Sequence, residues 1–155
     1  MIIVEHRLGF VMANAGIDES NIDGGTRHRV LLLPADPDAS CRRIKQSLDA
    51  EFNVGIGVII NDSFGRAWRN GVVGVALGSA GITSLLNMIG EPDLFGRAMV
   101  VTEVALADEM AAAASLLMGQ GAEGTPIIHV RGFRNPAAEN DVASLIRPRE
   151  LDMFR

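Results

Sequence analysis

This 155-residue sequence has little cysteine and little positive charge, and its first residues do not resemble a leader. The single cysteine, Cys41, excludes a disulfide within the chain, and residues 1–5 lack the charged and apolar regions of a signal peptide. Both features predict a reducing, cytoplasmic location. The 14 Lys and Arg residues are outnumbered by 19 Asp and Glu residues, giving a net charge of -5 and no basic surface for phosphate backbones, so nucleic-acid binding is not expected.

Uninterrupted hydrophobic runs of membrane-spanning length are also missing. The most apolar stretch, residues 71–89, is broken by glycines and by polar residues such as Ser79, Thr83 and Asn87, whereas a spanning helix needs about 20 mostly apolar residues. We therefore expect no membrane partner. Internal repeats, low-complexity tracts and linkers are absent from the sequence, and a hydrophobic content of 48% is enough for one globular unit with its own core.

Apolar runs bounded by turn-forming residues predict several strands. The candidates are residues 2–4, 9–12, 28–33, 54–60, 98–101 and 127–130. The run at 54–60 is continuous, which is the pattern of a strand buried on both faces. Glycines at 71, 74, 78 and 81 recur at spacings of three and four. This spacing permits close backbone approach in a helix or in packed strands, and periodicity leaves that choice open.

Two helices complete the prediction. The first begins at Pro37 and ends near Phe52, because Asp36 is a favourable N-cap and proline suits the first helical position. The second is the alanine- and leucine-rich segment 104–118, which Gly119 ends. Strands that alternate with helices predict an α/β protein in the broad sense, a mixed α+β unit in which helices pack on a single mixed sheet.

The strongest candidate site is the segment 61–70, which follows the predicted strand at 54–60. Asp62 and Ser63 offer the hard oxygen ligands that Mg²⁺ or Mn²⁺ accepts. Arg66 and Arg69 can neutralise phosphate oxygens or a substrate carboxylate. A structural alternative remains open, in which Asp62 only caps backbone donors in a turn and both arginines are solvated.

Two further loops are weaker candidates. Asp18, Glu19 and Ser20 place oxygen ligands close together in the loop 14–21. Such a loop taken alone is commonly a solvated turn, but two acidic loops on separate elements favour a shared metal site. The glycine-rich segment 118–126 frees backbone amides for phosphate, yet a helix stop followed by a turn explains it equally well.

Other chemically active side chains are assigned structural roles. His129 is expected to be a hydrogen-bonded core or interface residue, and Cys41 is expected to be buried on its helix without acting as a nucleophile. Asp108 and Glu109 are expected to face solvent or a partner. The sequence therefore shows no convincing nucleophile.

Several motifs in order resemble the coenzyme F420 gamma-glutamyl ligases. The family pattern has a Gly-Phe-Val segment before an Asn-Ala-Gly-Ile-Asp-x-Ser-Asn loop, then Leu-Leu-Leu-Pro-x-Asp-Pro-Asp, Asp-Ser/Thr-Phe-Gly-Arg and Met-Gly-x-x-x-Glu-Gly-x-Pro. The matching segments here are residues 9–11, 14–21, 31–38, 62–66 and 118–126. The resemblance extends over essentially the whole chain up to residue 133.

This resemblance implies a ligase that uses GTP to join L-glutamate to the deazaflavin precursor of the coenzyme, with Mg²⁺ or Mn²⁺ and with K⁺ as a further candidate cation. It implies metal ligands at Asp18, Asp62, Ser63 and Gln120 and nucleotide contacts at Asn21, Met118, Gly119, Gly121, Ala122, Glu123, Gly124 and Thr125. Arg66 or Arg69 would clamp the acceptor carboxylate. It also implies an interlocked homodimer, to whose interface the glycine-rich stretch 71–81 is expected to contribute.

One departure from the family concerns length. Family members are longer and carry an N-terminal region with further nucleotide contacts. Residues 1–134 are expected to form a ligase domain without that region. Residues 135–155 are expected to form a polar, partly ordered tail. A separate N-terminal chain is then a candidate partner. Two alternatives stay open: a dimerising or partner-dependent remnant without its own catalysis, and an acid–amine ligase with another acceptor.

Overall fold

The computed structural model describes residues 2–23 and 28–153, and the fold is mixed α+β, as predicted. The strands are β1 (Ile3–Glu5), β2 (Val11–Ala13), β3 (Val58–Arg66), β4 (Arg69–Ala80), β5 (Leu86–Asn87) and β6 (Glu103–Val104). The helices are α1 (Pro37–Phe52) and α2 (Leu106–Met118), with short 3₁₀ segments at Asn14–Gly16, Val142–Leu145 and Arg149–Leu151. Neither α-helix in this part of the chain is long and apolar enough to cross a membrane.

The strands of the described residues form three two-stranded antiparallel sheets, β1–β2, β3–β4 and β5–β6, and not the single mixed sheet that was expected. The long β3–β4 hairpin is the centre of the fold. Its register is interrupted after Ile60 and after Gly65, and such bulges bend a strand and change the direction of its side chains. Between the two bulges the pairing is regular, with Asp62 opposite Val75 and Ser63 opposite Gly74.

Most of the glycine-rich stretch 71–81 lies in a strand, β4, and two of its glycines, Gly74 and Gly78, pack against the two helices of the same chain. A Cβ atom built on Gly74 would lie 2.9 Å from the carbonyl carbon of Ala111 in α2. A Cβ atom built on Gly78 would lie 2.7 Å from the backbone nitrogen of Asp38 in α1. Only glycine permits such close approach. These two glycines therefore serve packing within the chain, and the expected contribution of the stretch 71–81 to a dimer interface stays a prediction.

Both predicted helices are confirmed, and local signals account for their ends. The Asp36 carboxylate accepts a hydrogen bond of 2.8 Å from the Ala39 backbone N–H, which caps α1 in front of Pro37. The helix ends at Asn53 in the left-handed conformation. Helix α2 begins two residues later than predicted and ends at Gly119, which has a φ of 75°.

Side chains from the helices cover the outer edge of β4. Three backbone N–H groups of β4 donate hydrogen bonds to helix side chains. Gly74 donates to Ser115 Oγ (3.3 Å), Ala76 donates to Asp108 Oδ1 (2.9 Å), and Ser79 donates to Asp38 Oδ1 (2.8 Å). An uncovered strand edge would expose unpaired donors. Asp108 is therefore half-buried against β4, and the expectation that it faces solvent or a partner is wrong.

Several strand predictions are wrong, since within the described residues these segments form at most isolated bridges. In residues 28–33 only Leu31 pairs, through an isolated bridge to Asp18. The segment 98–101 contributes one bridge, from Ala98 to Pro92, and 127–130 is extended and largely exposed, so His129 is exposed and is not a core residue. Residues 54–57 precede β3, which continues through Arg66 because its register follows β4. Asp62 and Ser63 thus lie inside the strand and not after its end.

The core joins the two faces of the hairpin to the C-terminal segment. Phe10, Leu77, Ala111 and Val142 are among its buried members, and Val142 is only 2% exposed. Asn140 Oδ1 accepts hydrogen bonds from the Ser84 and Leu85 backbone N–H groups, each at 2.9 Å. The segment expected to be a partly ordered tail is therefore docked on the core through residues 140–142, while the domain boundary at residue 134 stays a prediction.

Candidate functional site

The Asp18 carboxylate is held in place by its own loop. Both its oxygens accept a hydrogen bond from Ser20 Oγ, at 2.7 and 2.9 Å, and Oδ1 also accepts one of 2.8 Å from the Ser20 backbone N–H. These backbone and side-chain hydrogen bonds lower the pKa of Asp18. The backbone of Asp18 pairs with Leu31 on both sides. Asp18 is thus an exposed, fixed and ionised carboxylate at neutral pH.

The Asp62 carboxylate lies in the middle of β3 in a less polar environment. Its Oδ1 accepts a hydrogen bond of 2.7 Å from the Ser63 backbone N–H. Burial raises the pKa of Asp62 against the effect of that hydrogen bond, and the negative charge of Asp18 raises it further. Because the charge of Asp18 acts on Asp62, the fold brings two carboxylates that are 44 residues apart in sequence within electrostatic range of each other.

This pair of carboxylates fits a divalent cation. Within residues 2–23 and 28–153 no cluster of three or more His, Cys, Asp or Glu side chains forms a complete metal cage. Mg²⁺ does not require one, because it commonly binds through one or two carboxylates and completes its coordination with water and substrate phosphates. Two like charges within electrostatic range of each other disfavour the ionised forms, and a bound cation would offset that effect. The donor set and its charge both suit such an ion.

Strand alternation separates Ser63 from Asp62. Successive residues of a strand point to opposite faces, and the pairing from Asn61 to Gly65 is regular. Ser63 and Asn61 therefore share the face of Gly74, on which α2 packs, whereas Asp62 and Phe64 share the opposite face. Phe64 makes an edge-on contact with Phe10 there, with ring centroids 5.7 Å apart. The four predicted metal ligands thus do not converge on one point.

The glycine-rich turn 118–125 lies beside the face that carries Ser63. Asn61 Nδ2 donates a 3.7 Å hydrogen bond to Met118 Sδ, which brings the end of α2 next to the residue before Asp62. In the turn, the Glu123 carboxylate accepts a 2.8 Å hydrogen bond from the Gly121 backbone N–H. Hydrogen bonds from its own backbone N–H, from Gly121 and from Gln120 lower the pKa of Glu123. The backbone amides of this turn thus already bind one carboxylate, that of Glu123.

The remaining predicted site residues are more peripheral. Arg66 and Arg69 are exposed and face each other across the end of the hairpin. At about 3.3 Å per residue, Arg66 lies about 13 Å along β3 from Asp62. Asn21 is exposed with a φ of 53°, and Gln120 is exposed in the turn. Within the described residues none of these four side chains makes a hydrogen bond to the Asp18 or Asp62 carboxylate.

Two residues adjoining the site were missed from the sequence. Asp108 and Arg147 line a cavity of about 290 Å³ that Phe10, Phe64 and Val75 also line. Val75 is the register partner of Asp62, so this cavity adjoins the carboxylate pair. The only sequence feature that could have indicated a role for Asp108 is its acidic side chain in an otherwise apolar helix. No sequence feature indicated a role for Arg147.

Fold and site together define an α+β protein with an acidic site between a loop, a β-hairpin and a glycine-rich turn. Sequence comparison gives the family. Residues 1–132 match the F420-0:Gamma-glutamyl ligase family, and the chain belongs to it. It is 49% identical over 156 residues to the coenzyme F420:L-glutamate ligase of Methanothermobacter thermautotrophicus and 46% identical over 154 residues to that of Methanocaldococcus jannaschii.

The coverage of these alignments is unequal. Each alignment covers 99% of this chain, but only 61% of the Methanothermobacter protein and 60% of the Methanocaldococcus protein. A similar relation holds for the coenzyme F420:L-glutamate ligase of Archaeoglobus fulgidus, at 42% identity over 60% of its length. The chain therefore spans about three fifths of the length of the relatives it matches.

Proposed function

We propose that this chain supplies the metal-binding part of a GTP- and divalent-metal-dependent ligase that joins L-glutamate to the coenzyme F420 precursor. The observation that carries the proposal is the electrostatic effect of Asp18 on the half-buried Asp62 carboxylate, which links the loop of Asp18 to the middle of β3. Family membership and relatives named coenzyme F420:L-glutamate ligase support the substrate assignment.

The metal ligands divide into two pairs in this proposal. Asp18 and Asp62 hold one divalent ion, and Ser63 with Gln120 of the adjoining turn holds a second, an arrangement supported by the alternation of β3. Mg²⁺ or Mn²⁺ bound there neutralises phosphate oxygens and orients them. K⁺ is a further candidate cation. Backbone amides of residues 118–125, together with Asn21, receive the nucleotide phosphates in this scheme.

The proposed reaction explains why no nucleophilic side chain is needed. The γ-phosphoryl group of GTP passes to a carboxylate oxygen of the acceptor, giving an acyl phosphate and GDP. The amine of L-glutamate attacks the carbonyl carbon, loses a proton and expels inorganic phosphate, so that an amide bond forms. Catalysis then depends on position and charge neutralisation. In this scheme Arg66 or Arg69 binds the acceptor carboxylate. Both arginines lie at the tip of the hairpin, so the bound substrate must extend toward that tip.

The large exposed surface supports association with a second chain. The accessible surface is 11213 Å², whereas a compact monomer of 16.5 kDa exposes about 7,500 Å². Large apolar side chains such as Trp68, Leu94 and Leu116 contribute to the difference, each more than four fifths exposed. Apolar surface on this scale marks interaction sites. A homodimer, or a complex with a chain that supplies the family's N-terminal region, would cover it.

Manganese binding tests the metal assignment directly. Asp62→Asn keeps an oxygen that can accept from the Ser63 backbone N–H but removes the charge. Loss of an outer-shell partner of a metal typically weakens binding about 10–100-fold, so loss of this ligand is expected to weaken Mn²⁺ binding at least tenfold in calorimetry. Glu51→Gln, an exposed acid on α1, is the matched control. Equal Mn²⁺ affinity in wild type, Asp62→Asn and Glu51→Gln would remove the assignment.

A second candidate function is that of a partner-dependent subunit without turnover of its own, which the large exposed apolar side chains support. L-Glutamate-dependent GTP hydrolysis by the chain alone, and after addition of candidate partner chains, separates this function from an autonomous ligase. Replacing the deazaflavin precursor with other carboxylic acids in the same assay tests whether another acceptor is used.

A further inference from the structure

We propose that the cavity between Phe64 and the C-terminal segment binds the α-amino acid substrate, with Asp108 holding its ammonium group and Arg147 a carboxylate. This assignment rests on the proposed ligase function and adds a substrate site that neither the metal pair nor the nucleotide turn provides. The cavity has a volume of about 290 Å³, which is at the lower end of small-molecule sites and suits a ligand of amino-acid size.

The walls of the cavity are apolar, and its charged groups are few. Phe10, Phe64, Val75 and Ile146 supply ring and aliphatic surface, while Asp108 and Arg147 are the two charged side chains that line it. A small apolar cavity with a few convergent polar groups is the usual form of a specific ligand site. The methylene groups of a short amino acid match the walls.

The Asp108 carboxylate is fixed but only partly satisfied. One oxygen accepts the 2.9 Å hydrogen bond from the Ala76 backbone N–H, and no second hydrogen bond to this carboxylate occurs among the contacts of the described residues. Burial raises the pKa of Asp108, because the cavity environment disfavours an uncompensated negative charge. An ammonium group bound beside the free oxygen would supply the missing compensation.

Arg147 supplies the opposite charge at the same cavity. It is exposed, and within the described parts of the chain no acidic group lies within ion-pair distance of it. Asp108 and Arg147 therefore line one cavity without bridging each other. A ligand that carries one cationic and one anionic group joins them, whereas a dianion would be repelled by Asp108 and an apolar ligand would leave both charges unmatched.

The cavity also lies where the amine would be needed. Val75, in its wall, is the register partner of Asp62, and Phe64 follows Asp62 on the same face of β3. Asp108 reaches the same cavity from the helical side, at the edge of β4, where it accepts from the Ala76 N–H. An amine bound beside Asp108 would thus lie at the strand edge that adjoins the face of Asp62.

Calorimetric titration of the full 155-residue chain with L-glutamate and with glutarate, which lacks the amine, tests the site. Both ligands are titrated with and without Mn²⁺ and GTP. Wild-type chain is expected to bind L-glutamate at least tenfold more tightly than glutarate, because a hydrogen bond to a charged group contributes about that factor. Asp108→Asn, which keeps an acceptor for the Ala76 N–H, should remove this preference. Arg147→Gln should weaken both ligands about tenfold.

Matched controls are Glu109→Gln, the next residue on α2, and Arg149→Gln, two residues beyond Arg147. Absence of L-glutamate binding by wild-type chain under every condition overturns the site, as does an unchanged preference in Asp108→Asn. Parallel Mn²⁺ titrations keep the two proposals apart. If Asp62→Asn leaves Mn²⁺ affinity unchanged while wild-type chain still prefers L-glutamate to glutarate, the metal assignment alone is refuted. If Asp62→Asn weakens Mn²⁺ binding but wild-type chain shows no preference for L-glutamate, the amino-acid site alone is refuted.

Discussion

A methyl group added at Gly78 should separate α1 from β4. The new Cβ atom of Gly78→Ala would lie 2.6 Å from Pro37 Cβ and 2.7 Å from the Asp38 backbone nitrogen. These atoms belong to the first turn of a helix fixed by its N-cap, so no flexible side chain can move aside. Overpacking of this kind costs about 1–3 kcal/mol, and the backbone contacts place Gly78→Ala in the upper half of that range.

Gly65→Ala in the same hairpin is the control for this prediction. No atom lies within 4 Å of a Cβ built at Gly65, and its backbone does not require a positive φ. Replacing glycine at such a position restricts the unfolded chain and is expected to change the free energy of unfolding by about 0.4–1 kcal/mol in the stabilising direction. The two substitutions add the same atom, so their difference isolates the contact with α1.

Urea denaturation followed by circular dichroism, at one protein concentration and 25 °C, measures both variants. We expect the midpoint of Gly78→Ala to fall clearly below wild type and that of Gly65→Ala to stay level or rise, with similar slopes. A loss of about 2–3 kcal/mol is a large share of the 5–15 kcal/mol typical of a domain. Equal midpoints for Gly78→Ala and wild type would refute the close packing of α1 on β4.

Three other perturbations have defined outcomes. In EDTA, Asp62→Asn should raise the melting temperature at pH 7 but not at a pH below the ordinary Asp pKa near 4. The raised pKa of Asp62 means that folding favours the protonated carboxyl, so this contribution to stability is lost as the pH rises. A gain in melting temperature that is independent of pH would contradict this. Glu123→Gln should tighten GTP binding severalfold in calorimetry, since the carboxylate competes for the amides of the turn; weaker binding would assign Glu123 a direct role. Asn140→Ala should lower the unfolding free energy by about 2–4 kcal/mol in urea titrations, because two backbone N–H groups lose their acceptor; no change would mean that the C-terminal segment contributes nothing to stability.

Local signals in the sequence were enough for the helices. Asp36 and Pro37 define the start of α1 through contacts made within one turn, and Gly119 ends α2 through its own backbone conformation. Neither depends on the rest of the chain. The strands differ in this respect because their bounds follow their partners. The start of β3 is set by the pairing of Val58 with Ala80, which apolar character at residues 54–57 could not reveal.

The site shows the same division. Asp18 and Asp62 were identified through the family resemblance, and each lies in a recognisable local motif. Asp108 was missed because a carboxylate near a helix start ordinarily faces water. Its acceptor role exists only after α2 has docked on the edge of β4, where the Ala76 N–H would otherwise be unpaired. Such a role depends on tertiary contact and leaves no pattern in neighbouring residues.

The contacts that stabilise the fold and the carboxylate whose burial destabilises it lie on opposite faces of the β3–β4 hairpin. The glycine contacts at residues 74 and 78 and the cap of α1 lie on one face of the hairpin, where they fix both helices. Asp62, on the opposite face, is a half-buried carboxylate whose ionised form is disfavoured by burial and by Asp18. A cation or a charged substrate bound on that face would remove the penalty. The close packing on the helical face does not compensate the charge of Asp62 on the other face, so the proposed cation would stabilise the folded chain by binding there.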